Sequence, residues 1–220
     1  MKLYGVPMSP YFTRCWLLLH LKGQAKAVHY PGVPGNALGT PDHLAMTPIG
    51  RIPYAELEDG TILTESQVIA DYLERVFPTP PLRPADPAAA AQVDLICRLL
   101  DLYILPEIVA LARSGAAAAD SAAEHLERAH TGIGYLEHFF ASEDWAVGDQ
   151  ISLADCALLP FLFYTDMIQR ATGIDLLDTA PKLAAYRVNV ADQDLARLTF
   201  SRMQASVEAV RKARAGARSE

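Results

Sequence analysis

The sequence predicts an α/β domain followed by an all-helical domain, and three observations support this fold class. Residues 1–76 alternate short apolar runs with segments of helical periodicity. Five prolines then fall within residues 77–87, and proline has a fixed φ and no N–H, which favours a stiff linker. The apolar patterns after that segment have helical spacing. The predicted domains are therefore 1–77 and 88–220, joined by a Pro-rich linker at 78–87.

The first domain begins with a predicted βαβ unit. Leu3-Tyr4 and residues 27–30 have the composition of strands, and they flank a helix expected at 11–22. The apolar residues of that helix recur at helical spacing: Phe12, Cys15, Trp16 and Leu19. This spacing predicts one buried face, and Gly23 stands where a glycine commonly ends a helix. The crossover of such a unit is expected to be right-handed.

A β-hairpin and a second helix complete the first domain. Residues 54–58 and 61–63 flank Asp59-Gly60, a dipeptide that favours a tight turn with positive φ. The next helix is expected to begin near Thr64, because Thr64 and Gln67 have the spacing of a capping box. Its predicted apolar face comprises Val68, Ile69, Tyr72, Leu73 and Val76.

The second domain is predicted to contain helices throughout. Leu95, Leu99 and Leu102 keep helical spacing. Pro106 predicts a kink in that helix, because its ring clashes with the preceding turn. Further helices are expected around Leu126 and Ile133, from Pro181 and from Leu195.

Composition and charge exclude several classes of function. Hydrophobic residues make up 51% of the 220 residues and charged residues 20%, which disfavours disorder. A net charge of −7 disfavours nucleic acid or an anionic membrane as a partner. Apolar runs are too short for a membrane span, and the N-terminus does not resemble a signal peptide. The spacings of the Cys and His residues predict neither disulfides nor a metal site. We therefore expect a soluble, cytoplasmic protein.

Ser9 is the first candidate functional residue, because it stands where the first strand meets the first helix. Ser followed by Pro10 is a common helix start, with Ser at the N-cap. A helix N-terminus also stabilises negative charge, and a hydroxyl there can donate to a thiolate. Ser9 is therefore a helix cap or a thiolate donor, and Tyr11 is the alternative donor.

Two further segments have the residue types of a binding site. Ile52-Pro53 precedes the hairpin, either as an ordinary edge proline or as a cis bond that leaves the Ile52 N–H and C=O free. The segment 64–67 is either a well-capped helix start or a site for an α-amino-acid head group. In the second interpretation, the N–H and hydroxyl of Ser66 bind a carboxylate and Glu65 binds an ammonium.

The order and spacing of these segments resemble the glutathione transferase family. The similar segments are 47–53 (TPIGRIP), 59–60 (DG), 63–66 (LTES), 68–73 (VIADYL) and, in the helical half, 148–155 (GDQISLAD). In the last of these, Ser152 and Asp155 have the spacing of a capping box, which indicates a role in folding. The resemblance extends from residue 1 to about residue 200.

The resemblance implies a thioredoxin-like first domain that binds glutathione as a co-substrate, without a metal. Carried over by position, Ile52 beside a cis Pro53 would contact the cysteinyl part, and Glu65 with Ser66 would bind the γ-glutamyl end. Ser9 would donate to the sulfur. The glycyl carboxylate would need a cation. Two residues are implied, Arg51 and His43, and the choice between them stays open.

The activity that the resemblance implies is transfer of the glutathione thiolate to an electrophilic, mostly apolar small molecule, as in detoxification, by a homodimer. A second-substrate pocket is expected between the domains, lined by Tyr103, Ile104, Phe161 and Tyr164, although core packing explains each equally well. The alternatives are a non-catalytic member that binds glutathione or a partner protein, and an isomerase or lyase that uses the same thiolate. The class stays open, because Ser9-Pro10-Tyr11 resembles cytosolic, serine-type plant and bacterial members. It equally resembles the Cys-Pro-Tyr-Cys motif of glutaredoxins with both cysteines replaced, by Ser9 and Phe12.

Overall fold

The computed structural model describes residues 1–34, 37–114, 119–141 and 144–216. The chain forms two compact units. The first comprises Met1–Pro81 and Leu198–Glu220, and the second comprises Leu82–Arg197. The chain thus enters the second unit inside the Pro-rich segment and returns to the first unit near its end. The proposed domain limits stay a prediction.

The first unit contains a three-stranded antiparallel sheet with the order β1-β2-β3. The strands are β1 (Lys2–Tyr4), β2 (Tyr54–Glu56) and β3 (Ile62–Thr64). Leu3 faces Ala55 across the first pair, and Ala55 faces Leu63 across the second. The predicted hairpin is confirmed, with Gly60 at φ +85° in its turn.

The strand expected at 27–30 is reduced to one parallel bridge between Lys2 and His29. Leu3 N–H donates to the His29 carbonyl at 2.9 Å, and Gly5 N–H donates to the Gly32 carbonyl at 3.0 Å. The prediction of a full strand is therefore wrong. Pro31 follows directly and has no N–H to continue the ladder.

Nine α-helices lie within the described residues. They are α1 (Pro10–Leu21), α2 (Pro41–Met46), α3 (Ser66–Val76), α4 (Pro87–Leu99), α5 (Leu105–Ser114), α6 (Ala119–Phe139), α7 (Leu153–Thr172), α8 (Pro181–Ala191) and α9 (Asp194–Gly216). The expected buried residues of α1 are buried, together with most of the rest of that helix. The starts predicted at Pro181 and near Leu195 agree with α8 and α9.

α3 begins near Thr64 as expected, at Ser66, but the predicted capping box of Thr64 and Gln67 is wrong. Thr64 pairs with Tyr54 in β3, and Glu65 is the N-cap without a side-chain cap hydrogen bond. Because Glu65, the next residue, also has a non-helical backbone, the N-cap position lies one residue beyond Thr64. The apolar face is also narrower than expected, since Val68 and Val76 are about half exposed.

In the second unit, α4 continues through a π-helical segment (Leu100–Ile104) into α5. The kink expected at Pro106 is present as this π-helical segment. A π-turn relieves the clash between a proline ring and the preceding turn. The α7 capping box is confirmed, since Asp155 accepts from Ser152 N–H at 2.8 Å and Ser152 Oγ accepts from Ala154 N–H at 3.2 Å. Among the helices described here, none is long and apolar enough to cross a membrane.

Candidate functional site

Ser9 is the N-cap of α1, as the cap interpretation predicts. Its Oγ accepts a hydrogen bond from Phe12 N–H at 3.4 Å, and its own N–H donates to the Val6 carbonyl at 2.9 Å. A hydroxyl that accepts one hydrogen bond still has its proton to donate. The half-buried Ser9 hydroxyl can therefore cap the helix and also donate to an anion.

The loop before Ser9 is packed closely against α1. Thr13, which is fully buried, donates from its hydroxyl to the Pro7 carbonyl at 2.6 Å. At Gly5, with φ +152°, a Cβ atom would overlap the Phe12 ring. Only glycine fits this position without a shift of the neighbouring side chain. Tyr11, the alternative donor, is half-buried in the first turn of α1.

The Ile52-Pro53 peptide bond is cis, and Pro53 is buried directly before β2. Ile52 itself is partly exposed. Within the described ranges, no backbone group hydrogen-bonds to the Ile52 N–H or carbonyl. Both groups are therefore open to a ligand with a complementary peptide unit.

Glu65 has a strained backbone at the start of α3. Its φ of +64° makes it the one positive-φ residue other than glycine among the described residues. Such conformations cost about 1–3 kcal/mol and concentrate at functional sites. The Glu65 side chain is exposed and makes no cap hydrogen bond, so the first N–H groups of α3 have no side-chain acceptor from the N-cap. This helix start can accommodate an anion.

Arg14 contacts the first turn of α3, and no sequence motif indicated a role for it. Its side chain is 1% exposed, and its Nη1 donates to Ser66 Oγ and to Gln67 Oε1, each at 3.4 Å. Cys15 Sγ donates to the Ser66 carbonyl at 3.4 Å. These contacts join α1 to the first turn of α3. One feature of the sequence could have identified this residue: Arg14 is the one Asp, Glu, Lys or Arg residue in α1.

The structure separates the two candidate cations. His43 is fully buried, its Nδ1 accepts from Gly39 N–H at 3.0 Å, and its ring stacks on Tyr54. The His43 ring is therefore enclosed by its neighbours and is not accessible to a ligand carboxylate. Arg51 is exposed, and the ion pairs of the described residues do not include it. This placement favours Arg51 as the cation.

The four residues expected to line a second-substrate pocket differ in exposure. Ile104 and Phe161 are fully buried, and Tyr164 is nearly so. Tyr103 is 46% exposed and makes an edge contact with Tyr135, at 5.6 Å between ring centroids. Buried side chains offer a ligand no surface, so Tyr103 is the member that a ligand can reach. The pocket itself stays a prediction.

No group of three or more potential metal ligands occurs in the part of the chain that the structure describes. The six predicted glutathione-site residues and both candidate donors all belong to the first unit. They are Ser9, Tyr11, His43, Arg51, Ile52, Pro53, Glu65 and Ser66. They provide the Ser9 hydroxyl at the N-terminus of α1, the backbone N–H and carbonyl of Ile52, and the N-terminus of α3, which has no side-chain cap.

Comparison with known families gives one result for both halves of the chain. The model described as "Glutathione S-transferase, N-terminal domain" matches residues 3–81. The model described as "Glutathione S-transferase, C-terminal domain" matches residues 119–187. These matches confirm the predicted fold class, a thioredoxin-like domain followed by an all-helical domain.

Individual relatives agree with the family models. A glutathione S-transferase of Pseudomonas putida is 31% identical over 84% of this chain and 84% of its own. A maleylacetoacetate isomerase of Pseudomonas aeruginosa is 28% identical, covering 74% of this chain and 80% of its own. A glutathione transferase homologue from sulfitobacter, solved with bound glutathione, shares the fold with a TM-score of 0.70 at 24% identity, covering 90% of this chain and 95% of its own.

Proposed function

The chain belongs to the glutathione S-transferase family, and from that membership we propose that it is a glutathione transferase. It binds glutathione, stabilises the thiolate and transfers it to an electrophilic, apolar small molecule. The observation that carries the proposal is the Ser9 hydroxyl at the N-terminus of α1. A hydroxyl there adds a hydrogen bond to the favourable potential of the helix end.

Glutathione binding is assigned to three groups in the first unit. The carboxylate of the γ-glutamyl end accepts from the uncapped start of α3 at Ser66, and its ammonium pairs with Glu65. The cysteinyl peptide unit pairs with the Ile52 N–H and carbonyl beside the cis Pro53. The exposed Arg51 binds the glycyl carboxylate, because the fully buried ring of His43 is out of its reach.

Thiolate formation is the chemical step that the protein must favour. Lowering the thiol pKa by ~2 units requires ~3 kcal/mol of preferential thiolate stabilisation. A helix N-terminus and one or two donors can supply a stabilisation of that size. The thiol proton passes to solvent, and the sulfur lone pair forms the new C–S bond. The leaving group departs with the electrons of the bond that breaks, and proximity of the two reactants supplies further acceleration.

The experiment that tests this proposal measures the bound thiolate. The thiolate absorbance of bound glutathione is followed against pH, and a panel of electrophiles is then assayed near neutral pH. We expect a bound thiol pKa well below that of free glutathione and turnover with at least one electrophile. Binding without a thiolate signal and without turnover would favour the alternative, a non-catalytic member that binds glutathione or a partner protein.

A second candidate function is glutathione-dependent isomerisation, which the match to a maleylacetoacetate isomerase favours. The same thiolate would add reversibly to a conjugated double bond, allow rotation about it, and leave again. A cis–trans conversion of an unsaturated dicarboxylic acid without net consumption of glutathione would identify this activity. Net consumption of glutathione identifies transfer.

We also propose a cytoplasmic homodimer with a role in detoxification. Family membership supports this assembly and location without specifying an interface, and the composition permits both. Sedimentation at micromolar concentration is expected to give a species of twice 24.0 kDa. A single species of 24.0 kDa would contradict the dimer.

A further inference from the structure

The last helix, α9, contacts the loop that carries Ser9. Ser206 of α9 accepts, through its Oγ, a hydrogen bond from Met8 N–H at 3.2 Å. Met8 immediately precedes Ser9, so this bond acts one residue from the candidate thiolate donor. The two partners are 198 positions apart in the sequence, and the fold alone brings them together.

A second contact aligns α9 with α1. The Arg202 guanidinium carbon lies 4.1 Å from the centroid of the Trp16 ring, which is within the range of a cation–π interaction. Arg202 and Ser206 are four residues apart and therefore share a face of α9. Trp16 follows Met8 by eight residues. Through these two contacts, α9 touches both the loop before Ser9 and α1.

Two further hydrogen bonds attach the loop to residues close to it in the sequence. Thr13 donates to the Pro7 carbonyl, and Ser9 N–H donates to the Val6 carbonyl. Both bonds come from residues within a few positions of the loop. Ser206, on the distant helix α9, adds a hydrogen bond at Met8, which lies between Pro7 and Ser9. Each additional attachment reduces the conformations that the loop and the Ser9 hydroxyl can sample.

We propose that Ser206 is a positioning residue for the Ser9 hydroxyl. By accepting from Met8 N–H, it keeps that hydroxyl within reach of the bound sulfur. The inference rests on the proposed function, since it assigns a second residue to thiolate stabilisation. The inference predicts that Ser206 does not contribute to glutathione affinity, because the proposed contacts of Ile52, Glu65 and Ser66 with the tripeptide lie away from the sulfur.

Ser206→Ala tests the inference, with Ser206→Thr as the rescue and Ser201→Ala as the matched control. Ser201 is an exposed serine of the same helix, so its substitution has the same effect on helix propensity. The readouts are the bound thiol pKa, glutathione affinity by calorimetry, and kcat at pH 6.5 with 1-chloro-2,4-dinitrobenzene. Amide hydrogen exchange of a peptide containing Met8 reports the loop directly.

In Ser206→Ala, we expect kcat to fall about 3–10-fold, as for the loss of one ordinary hydrogen bond. The bound thiol pKa rises, exchange at Met8 accelerates, and the glutathione dissociation constant changes less than about twofold, since the anchors are untouched. Ser206→Thr restores the values because it retains the hydroxyl. Ser201→Ala behaves as the wild type.

Two results would overturn the inference while leaving the proposed function intact. One is a thiol pKa and kcat in Ser206→Ala equal to those of Ser201→Ala. The other is a parallel loss of stability and glutathione affinity that Ser206→Thr does not restore, which indicates a purely structural role. Absence of a thiolate signal in the wild type would instead contradict the proposed function, and the inference with it.

Discussion

Ser9 is the residue at which a structural and a chemical role coincide. Its Oγ caps α1, and its proton is available to an anion. The cap role was predictable from Ser9-Pro10 alone, because cap preferences depend on adjacent residues. The donor role depends on where glutathione binds, so it needs a test by substitution.

Ser9→Ala is expected to raise the bound thiol pKa by roughly 1–2 units, because one charge-assisted hydrogen bond is lost. Less thiolate is then present at neutral pH, so turnover falls ~10–100-fold and partly recovers as the pH rises. Absorbance titration of bound glutathione measures the shift. Ser9→Gly is the control, because glycine also lacks the hydroxyl but preserves most of the cap stability. If neither variant changes the thiol pKa, Tyr11 becomes the donor.

Glu65 combines backbone strain with a proposed binding role. Its φ of +64° is unfavourable for any residue with a Cβ. We expect Glu65→Gly to raise the free energy of unfolding by about 1 kcal/mol through relief of that strain. The same variant weakens glutathione binding, because the carboxylate for the ammonium is lost.

Denaturant unfolding and calorimetry measure these two effects. Glu65→Ala is the matched control, since it removes the carboxylate but retains the strained backbone. It is expected to weaken binding without any gain in stability and with little change in the bound thiol pKa. Unchanged glutathione affinity in both variants would remove Glu65 from the site.

At the scale of elements, predictions succeeded where the signal lies within a few residues. The Asp59-Gly60 hairpin and the Ser152–Asp155 capping box both formed as expected. The α3 capping box did not form, because Glu65 with its non-helical backbone takes the N-cap position instead of Thr64. The expected strand at 27–30 was shortened to one bridge beside Pro31.

The α7–α8 connection of the second unit depends on an ion pair that is sensitive to acid. Arg187 donates through two nitrogens to both carboxylate oxygens of Asp175, at 3.0 and 2.8 Å. These hydrogen bonds lower the pKa of Asp175 below its ordinary value of 3.8. The pair therefore contributes stability above about pH 4, and that contribution is lost as pH falls through the lowered pKa.

Asp175→Asn is expected to lower the denaturant midpoint at pH 5–8 by a constant amount. The difference from the wild type then shrinks as the pH falls below about 4, since the wild-type carboxylate also becomes neutral. Asp192→Asn on an almost fully exposed carboxylate serves as the control. A midpoint difference that does not change with pH would show that the lost contact is not electrostatic.

At the scale of the whole molecule, the proposal divides binding and specificity between two units. The predicted glutathione residues lie in the first unit, and the predicted second-substrate residues lie in the second. We expect Tyr103→Ala to change the preference among electrophiles while glutathione affinity stays within a few-fold, because the large exposed ring is removed from the second unit alone.

Relative kcat/KM over an electrophile panel, with calorimetry of glutathione, measures this division. Val188→Ala is the control, because Val188 is an apolar side chain of the same unit and is 71% exposed. Loss of glutathione binding in Tyr103→Ala would contradict the assignment of the two sites to separate units. Phe161 is unsuitable for this test, because truncating a fully buried aromatic side chain costs about 3–5 kcal/mol of stability.

The sequence by itself determined the family and the order of most elements, and it predicted the residues of a glutathione site. These features depend on motifs, caps and turns, whose interacting residues lie close together in the chain. Tertiary structure alone decided that Arg14 contacts Ser66, that His43 is fully buried, and that Ser206 contacts Met8. The Arg14 and Ser206 contacts join residues 52 and 198 positions apart, and the environment of His43 depends on packing against β2. No local preference specifies such pairs, because they form only when the whole unit packs.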